Sequence, residues 1–257
     1  MIVLGFDTAT PASTVALRLA DGRTAERRHD PPRGEHPGHA THLLDMADGL
    51  LTEAGLGWAE IDRLAVGVGP GTFTGLRVGI ATVRGLGQSL STPIVGVSSL
   101  AALAQGALTP LDGDGRGPEG GGRADDGDRI LAVIDARRGE AFVAAYERGE
   151  GPGPTELSAP RALAPEDLAG VIYELDEGGG DRRWLAVGDG AIRFSEILEG
   201  EGIPPPPEDS PLHRIGGGAI CELAARAAAA GRPEEIVPDY RRRPDAELAF
   251  QDAGRGD

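Results

Sequence analysis

Four groups of residues in this chain have types and spacing suited to chemistry. Residues 67–79, GVGPGTFTGLRVG, hold five glycines between an apolar strand and a helical pattern. Such a turn either cradles an anion on backbone N–H groups or lets the chain turn tightly and the helix approach its neighbours. Asp7 and Asp135 each end an apolar run just before a turn. A carboxylate there holds a magnesium-bound water beside a nucleotide, or caps its own turn. His36, His39 and His42 lead into a helical segment, and the last two are three residues apart with Asp45 a turn on. That spacing presents two imidazoles and a carboxylate to one metal, or merely furnishes a polar first turn. Tyr240 is followed by Arg241, Arg242 and Arg243, a cluster that binds RNA phosphate through guanidinium forks or balances an acidic surface.

Several routine chemistries are excluded. The 257 residues contain 25 Arg and no Lys, which removes the phosphate-binding Lys of a P-loop, any Schiff-base Lys and the Ser-x-x-Lys nucleophile. No Asp or Glu lies between Arg63 and Leu111, so the glycine turn lacks the downstream acid that a dinucleotide-binding turn uses on ribose. Ser98 and Ser99 follow Gly96 without the second glycine of a nucleophile elbow. Cys221 is alone, so neither an internal disulfide nor a cysteine zinc framework is expected. The formal net charge of −16 repels nucleic acid at long range and restricts any RNA contact to a local arginine cluster or a partner chain.

The elements that position these groups follow from periodicity. Residues 2–6, 14–19 and 23–28 read as three strands, the last two joined at Asp21-Gly22. Leu43, Ala47, Leu50 and Ala54 follow helical spacing over residues 39–54, and Gly55 stands where a C-cap belongs. A strand over 64–68, a helix over 75–90, a strand over 94–97 and a short helix over 98–105 complete the first half. After a joint over 112–128 with seven glycines, expected to be a solvated loop, the pattern partly recurs. Residues 130–134 and 140–146 read as strands around the Asp135 turn, a helix starts near 165–168, a strand covers 184–187, and a helix covers 219–230. Two halves that each open on a strand hairpin with an Asp at its turn indicate a duplicated α/β architecture.

The helix over 75–90 carries two stripes. Leu76, Ile80, Val83 and Leu90 form an apolar one; Gly75, Gly79, Thr82 and Gly85 form a small-residue one beside it. A second stripe of this kind admits another backbone, either of a partner or of the same lobe. The first residues reach Asp7 too early for a secretory signal, and no apolar run approaches the ~18 residues of a membrane span. A cytosolic chain with no membrane partner is therefore expected.

Residues 2–17 (IVLGFDTATPASTVAL), the glycine-rich stretch within 61–97, the hairpin 134–140 (IDARRGE) and residues 187–190 (VGDG) together resemble the TsaB family, formerly grouped with M22 glycoprotease homologues. The resemblance implies an actin-like, Hsp70-like and sugar-kinase-like α/β fold of two ribonuclease-H-like lobes, the second reduced. On that basis residues 1–108 would form the first lobe, 109–128 a flexible loop, 129–247 the second lobe and 248–257 a disordered tail. It also implies a noncatalytic subunit that activates TsaD, with TsaE joining, to install N6-threonylcarbamoyladenosine at A37 of tRNAs reading ANN codons. The competing reading is an enzyme acting alone, an ATPase or a metallopeptidase of the M22 type.

In the family the helices matching 39–54 and 75–90 pair with TsaD, or with a second copy in a homodimer. Leu43, Met46 and Leu50 on one helix, and Gly75, Leu76, Gly79, Ile80 and Val83 on the other, are then the candidate contacts. Residues with positions suited to a nucleotide are Asp7, Gly69, Gly71, Asp135, Gly188 and Gly190. The first Asp turn, however, reads Thr8-Ala9-Thr10-Pro11-Ala12 and lacks the glycines of nucleotide-binding relatives. The chain alone is therefore expected to carry no cofactor, with ATP and Mg2+ belonging to the assembled complex. TsaD holds its metal with two His four apart, whereas His39 and His42 are three apart, so no metal site and no catalytic residue are carried over. tRNA would be reached through the complex, with Arg241, Arg242 and Arg243 as candidate contacts.

Overall fold

The computed structural model describes residues 1–32, 34–109, 129–149, 153–176, 183–227 and 232–241. The joint at 112–128, Arg242, Arg243 and the terminal residues 248–257 lie outside these. Strands β1 (Val3–Asp7), β2 (Ser13–Arg18) and β3 (Thr24–His29) form an antiparallel meander. Two further strands, β4 (Arg63–Gly69) and β5 (Ile94–Ser98), add parallel to β1, giving the order β3-β2-β1-β4-β5. The crossovers run through α1 (His39–Ala54) and α2 (Phe73–Leu90). Helix α3 (Ser99–Leu108), N-capped by the Ser98 hydroxyl, leads out of this sheet.

The second half repeats the plan. Strands β6 (Arg129–Arg137), β7 (Glu140–Arg148) and β8 (Pro154–Leu163) form a meander, α4 (Leu168–Asp176) crosses over, and β9 (Trp184–Val187) pairs parallel with β6. The order β8-β7-β6-β9 matches the first four strands of the other sheet, and a fifth has no counterpart among the described residues. This is the two-lobed, ribonuclease-H-like α/β fold with a smaller second sheet. Helices α5 (Asp189–Arg193), α6 (Ser195–Gly200) and α7 (Gly217–Arg226) follow.

Alternation along the strands builds the layers. Leu4, Phe6, Val15, Leu17, Leu64 and Val66 point to the face covered by α1 and α2, where they meet Leu43, Leu50, Ile80 and Val83. Their neighbours Val3, Ala16 and Ala65 point to the other face, into a cluster with Leu100 and Leu103 of α3, Ile220 and Cys221 of α7, and Ile130, Ala132 and Ile134 of β6. Leu131 and Val133 of β6 face away again, onto Leu168 and Ile172 of α4. Both sheets are thus covered on both faces, which is why β1, β4 and β6 read as continuous apolar runs.

Helix α7 follows the second sheet in sequence but packs on β1 and β2 of the first. A Cβ at Gly5 would lie 2.7 Å from the Cys221 sulfur, and one at Gly217 would lie 2.8 Å from the Ala16 methyl, so glycine on each side sets the approach. The Arg63 guanidinium donates to the Ala224 and Ala227 carbonyls at 2.6 and 2.8 Å and closes the helix C-terminus. Periodicity missed β8: its two prolines and largely solvent-facing residues give little alternation to read, as befits an edge strand. Helix α2 starts two residues before the expected boundary and α3 runs to Leu108.

Burial pushes the Cys221 thiol up to about 12, and the side chain is wholly enclosed. The native protein at pH 8 should therefore leave this thiol unmodified by an aromatic disulfide reagent, and one thiol should react once denaturant is added.

Candidate functional site

The glycine turn between β4 and α2 is clamped by its own lobe. The Thr72 amide donates to the Ala9 carbonyl at 2.7 Å, and the Thr8 hydroxyl donates to the Gly75 carbonyl at 2.7 Å. A Cβ on Gly71 would lie 2.5 Å from the Ala9 carbonyl oxygen, and Cβ atoms on Gly75 and Gly79 would strike the carbonyl and hydroxyl of Thr8. Of the two sequence readings of these glycines, close backbone approach is the one observed. The same contact places Gly75 and Gly79 of the small-residue stripe inside the lobe. Gly85, at its far end, has nothing within 4 Å of where a Cβ would stand, and it faces outward.

The carboxylate of Asp7 accepts the Ala9 amide at 2.9 Å and the Ser99 hydroxyl at 3.0 Å. Burial pushes it up to about 6, against the lowering effect of those two donors and of Arg28. Asp135 sits at the corresponding end of β6 with a different set of partners. It accepts the Arg137 amide on Oδ1 at 2.8 Å, and on Oδ2 one guanidinium N–H each from Arg137 (3.2 Å) and Arg193 (3.1 Å). Its own amide donates to Asp189 Oδ1 at 3.0 Å, and burial pushes the Asp189 carboxyl up. Gly188 is needed at φ +109°, and a Cβ on Gly190 would come within 2.7 Å of Val133. His213 bonds the Gly188 backbone through Nδ1 and faces the Pro206 carbonyl through Nε2 at 3.0 Å.

The histidines do not form a ligand set. His39 is buried with Nδ1 2.8 Å from the Ser13 hydroxyl, while the His42 ring lies against His29 with centroids 3.9 Å apart. Among the described residues no group of three or more His, Cys, Asp or Glu is arranged to hold a metal ion. Burial, followed by the charges of His36, His29 and His42, pulls His39 down to about 4.

The expected partner contacts need correction. Leu43, Leu50, Ile80 and Val83 are buried in the cluster beneath α1 and α2, and Leu76 is buried in the central one; Met46 is half-buried against the former. These side chains fill their own lobe because the apolar stripe of each helix is needed to cover the sheet. The outward face of α2 instead carries Phe73, Thr74, Arg77, Ala81, Gly85 and Gln88. A half-open groove of about 490 Å³ lies along it, lined by Ala81, Arg84, Gly85, Gln88, Pro233 and Glu234. Helix α1 packs beside α2 and turns Leu44, Asp45 and Asp48 outward.

The chain returns to α2 near its C-terminus, which periodicity did not foresee. A register shift in β4 between Gly67 and Gly69 accompanies a bond in which the Val68 carbonyl accepts the Asp239 amide at 2.7 Å. Tyr240 stacks on Phe73 with centroids 5.3 Å apart and accepts the Arg77 Nε–H at 2.7 Å, and Arg77 lies 3.7 Å over the Phe73 ring. Arg241 pairs with Asp239 at 2.7 Å; Arg242 and Arg243 fall outside the described residues. No local signal announced the convergence of Arg193 and Asp189 on Asp135 or of Tyr240 on Phe73, because each joins segments far apart in sequence.

The family described as "TsaD: tRNA N6-adenosine threonylcarbamoyltransferase" matches residues 29–196. The chain is 33% identical to the tRNA threonylcarbamoyladenosine biosynthesis protein TsaB of Escherichia coli K12, over 79% of this chain and 78% of that one. It is 32% identical to the protein of the same name from Haemophilus influenzae, over 77% and 76%. The solved structure of YeaZ from Pseudomonas aeruginosa superposes with a TM-score of 0.70 at 31% identity, covering 93% of this chain and 99% of that one.

Burial of the α2 stripe and of two titratable groups has measurable effects. Ile80→Asp should place an unpaired carboxylate in the core and lower the thermal midpoint by about 10 °C or more. Asp7, raised on folding, contributes stability that is complete below its unfolded value of 3.8 and lost as pH rises through about 6. His39, depressed on folding, contributes stability that is complete above 6.5 and lost as pH falls through about 4. On acidification from pH 6.5 to 4 the two oppose each other, so urea midpoints should fall more steeply in Asp7→Asn than in the native chain and should rise in His39→Gln.

Proposed function

Because the chain belongs to the TsaB family of tRNA threonylcarbamoyladenosine biosynthesis proteins, we propose that it is the noncatalytic partner and activator of TsaD within that pathway. In this reading TsaD performs the transfer to A37 of tRNAs reading ANN codons, TsaE joins the assembly, and ATP and Mg2+ are bound by the complex rather than by this chain. Alone, the chain pairs with a second copy through the same surface. Its place of work is the cytoplasm.

One observation carries the docking reading: the outward face of α2 holds no carboxylate, in a chain of net charge −16. A helix face free of acids, although Glu234 borders its groove, suits close contact, since a buried unpaired carboxylate is costly. The groove beside Gly85 leaves room for a helix backbone, and the acidic outward face of α1, beside an α2 face that carries Arg77 and no acid, is complementary to a related surface turned by a two-fold axis. Support for a noncatalytic role comes from the first Asp turn. Its Thr8 hydroxyl and Ala9 carbonyl are engaged with the glycine turn, so these groups are committed to packing within the lobe.

The test uses purified chain and TsaD. Gly85→Glu and Ala81→Glu, both at exposed positions, should weaken association at least about tenfold while leaving the thermal midpoint within about 2 °C. Unchanged association would remove α2 from the interface. ATP turnover or peptide cleavage by the chain alone would favour the stand-alone enzyme instead.

A further inference from the structure

The β6–β7 hairpin and α5 meet at Asp135, in an arrangement that the docking reading does not use. The Asp135 side chain is 6% exposed, whereas the Arg137 and Arg193 side chains that share its Oδ2 are 51% and 47% exposed. A guanidinium has five N–H donors in a planar fork. Each of these two uses one Nη1 on Asp135, and among the described residues neither Nε nor Nη2 of either has an acceptor. Two cations therefore stand side by side over one carboxylate oxygen, each about half-exposed, with Arg193 also 5.6 Å from the centre of the Phe194 ring.

The surroundings mix both signs. Arg138 follows in the same turn; Glu140 pairs with Arg137 in the strand register. Asp189 lies beneath, bonded to the Asp135 amide, and its burial disfavours the charged carboxylate. The backbone is also unusual. Arg137 and Arg138 have φ of +66° and +55°, ahead of Gly139 at +81°, a region that glycine or asparagine occupies at much lower cost.

We propose that Arg137 and Arg193 form a two-guanidinium clamp for a phosphate group, held in place by Asp135. Paired forks over a common buried carboxylate match the several acceptor oxygens of a phosphate and suffer less mutual repulsion once an anion lies between them. The phosphodiester backbone of RNA and the phosphates of a free nucleotide offer the same chemistry.

The experiment separates these sources. The full chain and its Arg137→Gln/Arg193→Gln variant are titrated into a fluorescent RNA stem-loop and, separately, a fluorescent ATP analogue, with inorganic phosphate as competitor. Thermal melting checks the fold, and Arg193→Gln alone serves if the double variant melts early. If the clamp holds RNA, the native chain binds the stem-loop, the variant binds at least about tenfold more weakly, and the slope of log affinity against log salt becomes shallower by about one to two. If it holds a nucleotide, the same loss appears with the ATP analogue and not with the RNA, and the reading in which only the assembled complex binds ATP falls. Phosphate at millimolar concentration displaces the probe in either case. Binding of neither probe by the native chain, or equal binding by native chain and folded variant, overturns the proposal.

Discussion

The contact on which the rest of the first lobe depends is the near-touching of two backbones, the start of α2 and the turn after β1. Glycine at 71, 75 and 79 removes the Cβ atoms that would hold them apart, and Thr8 and Ala9 then bond across the gap. With its first turn fixed in this way, α2 has one orientation on the sheet. Ile80 and Val83 face Leu64 and Val66, and the opposite side, from Phe73 to Gln88, is left to solvent. The outward surface is thus a consequence of an inward constraint.

A second consequence concerns the join between sheets. Helices α3 and α7 lie between them, and their residues belong to one continuous cluster with strands of both. The described residues from 217 on are therefore not an appendage to the second sheet: α7 closes the first sheet, and residues 236–241 return to β4 and α2. Ile236 is buried in the cluster beneath α1 and α2, which anchors that return. Loss of the C-terminal portion would expose both faces of the first sheet at once, the side under α7 and the end of the α2 groove at Pro233.

Much of this was legible in the sequence, for a physical reason. Strands covered on both faces are long apolar runs, and an amphipathic helix shows its stripe whatever its neighbours; β1, β4, β6, α1 and α2 were readable on those terms. Strand β8 was not, because an edge strand with two prolines carries no alternation to detect. The candidate site divided in the same way. Gly75 and Gly79 were recognisable as small, but whether they admit a partner or the Thr8 backbone depends on a contact 67 residues away in sequence for Gly75. Leu43, Leu50, Ile80 and Val83 were misassigned as partner contacts for a related reason: hydrophobicity marks a face for burial without saying what buries it.

Charge makes the final distinction between surfaces. In a chain with 41 acids and 25 arginines, an exposed arginine ordinarily finds a carboxylate, and several of the described ones do: Arg23 with Asp21, Arg27 with Glu53, Arg161 with Glu174, Arg241 with Asp239. Such exposed pairs contribute little to stability but do neutralise one another. Arg77 and the pair Arg137 and Arg193 depart from this pattern in different ways. The first lies on aromatic rings rather than on an acid, which fixes it without cancelling its charge. The second places two guanidiniums on one carboxylate, which fixes both and cancels one. Immobilised and under-neutralised cations raise the free energy of the unliganded surface, and that excess is recovered when an acidic partner surface or a phosphate arrives. In an otherwise acidic molecule these are arginines held in place without a carboxylate of their own.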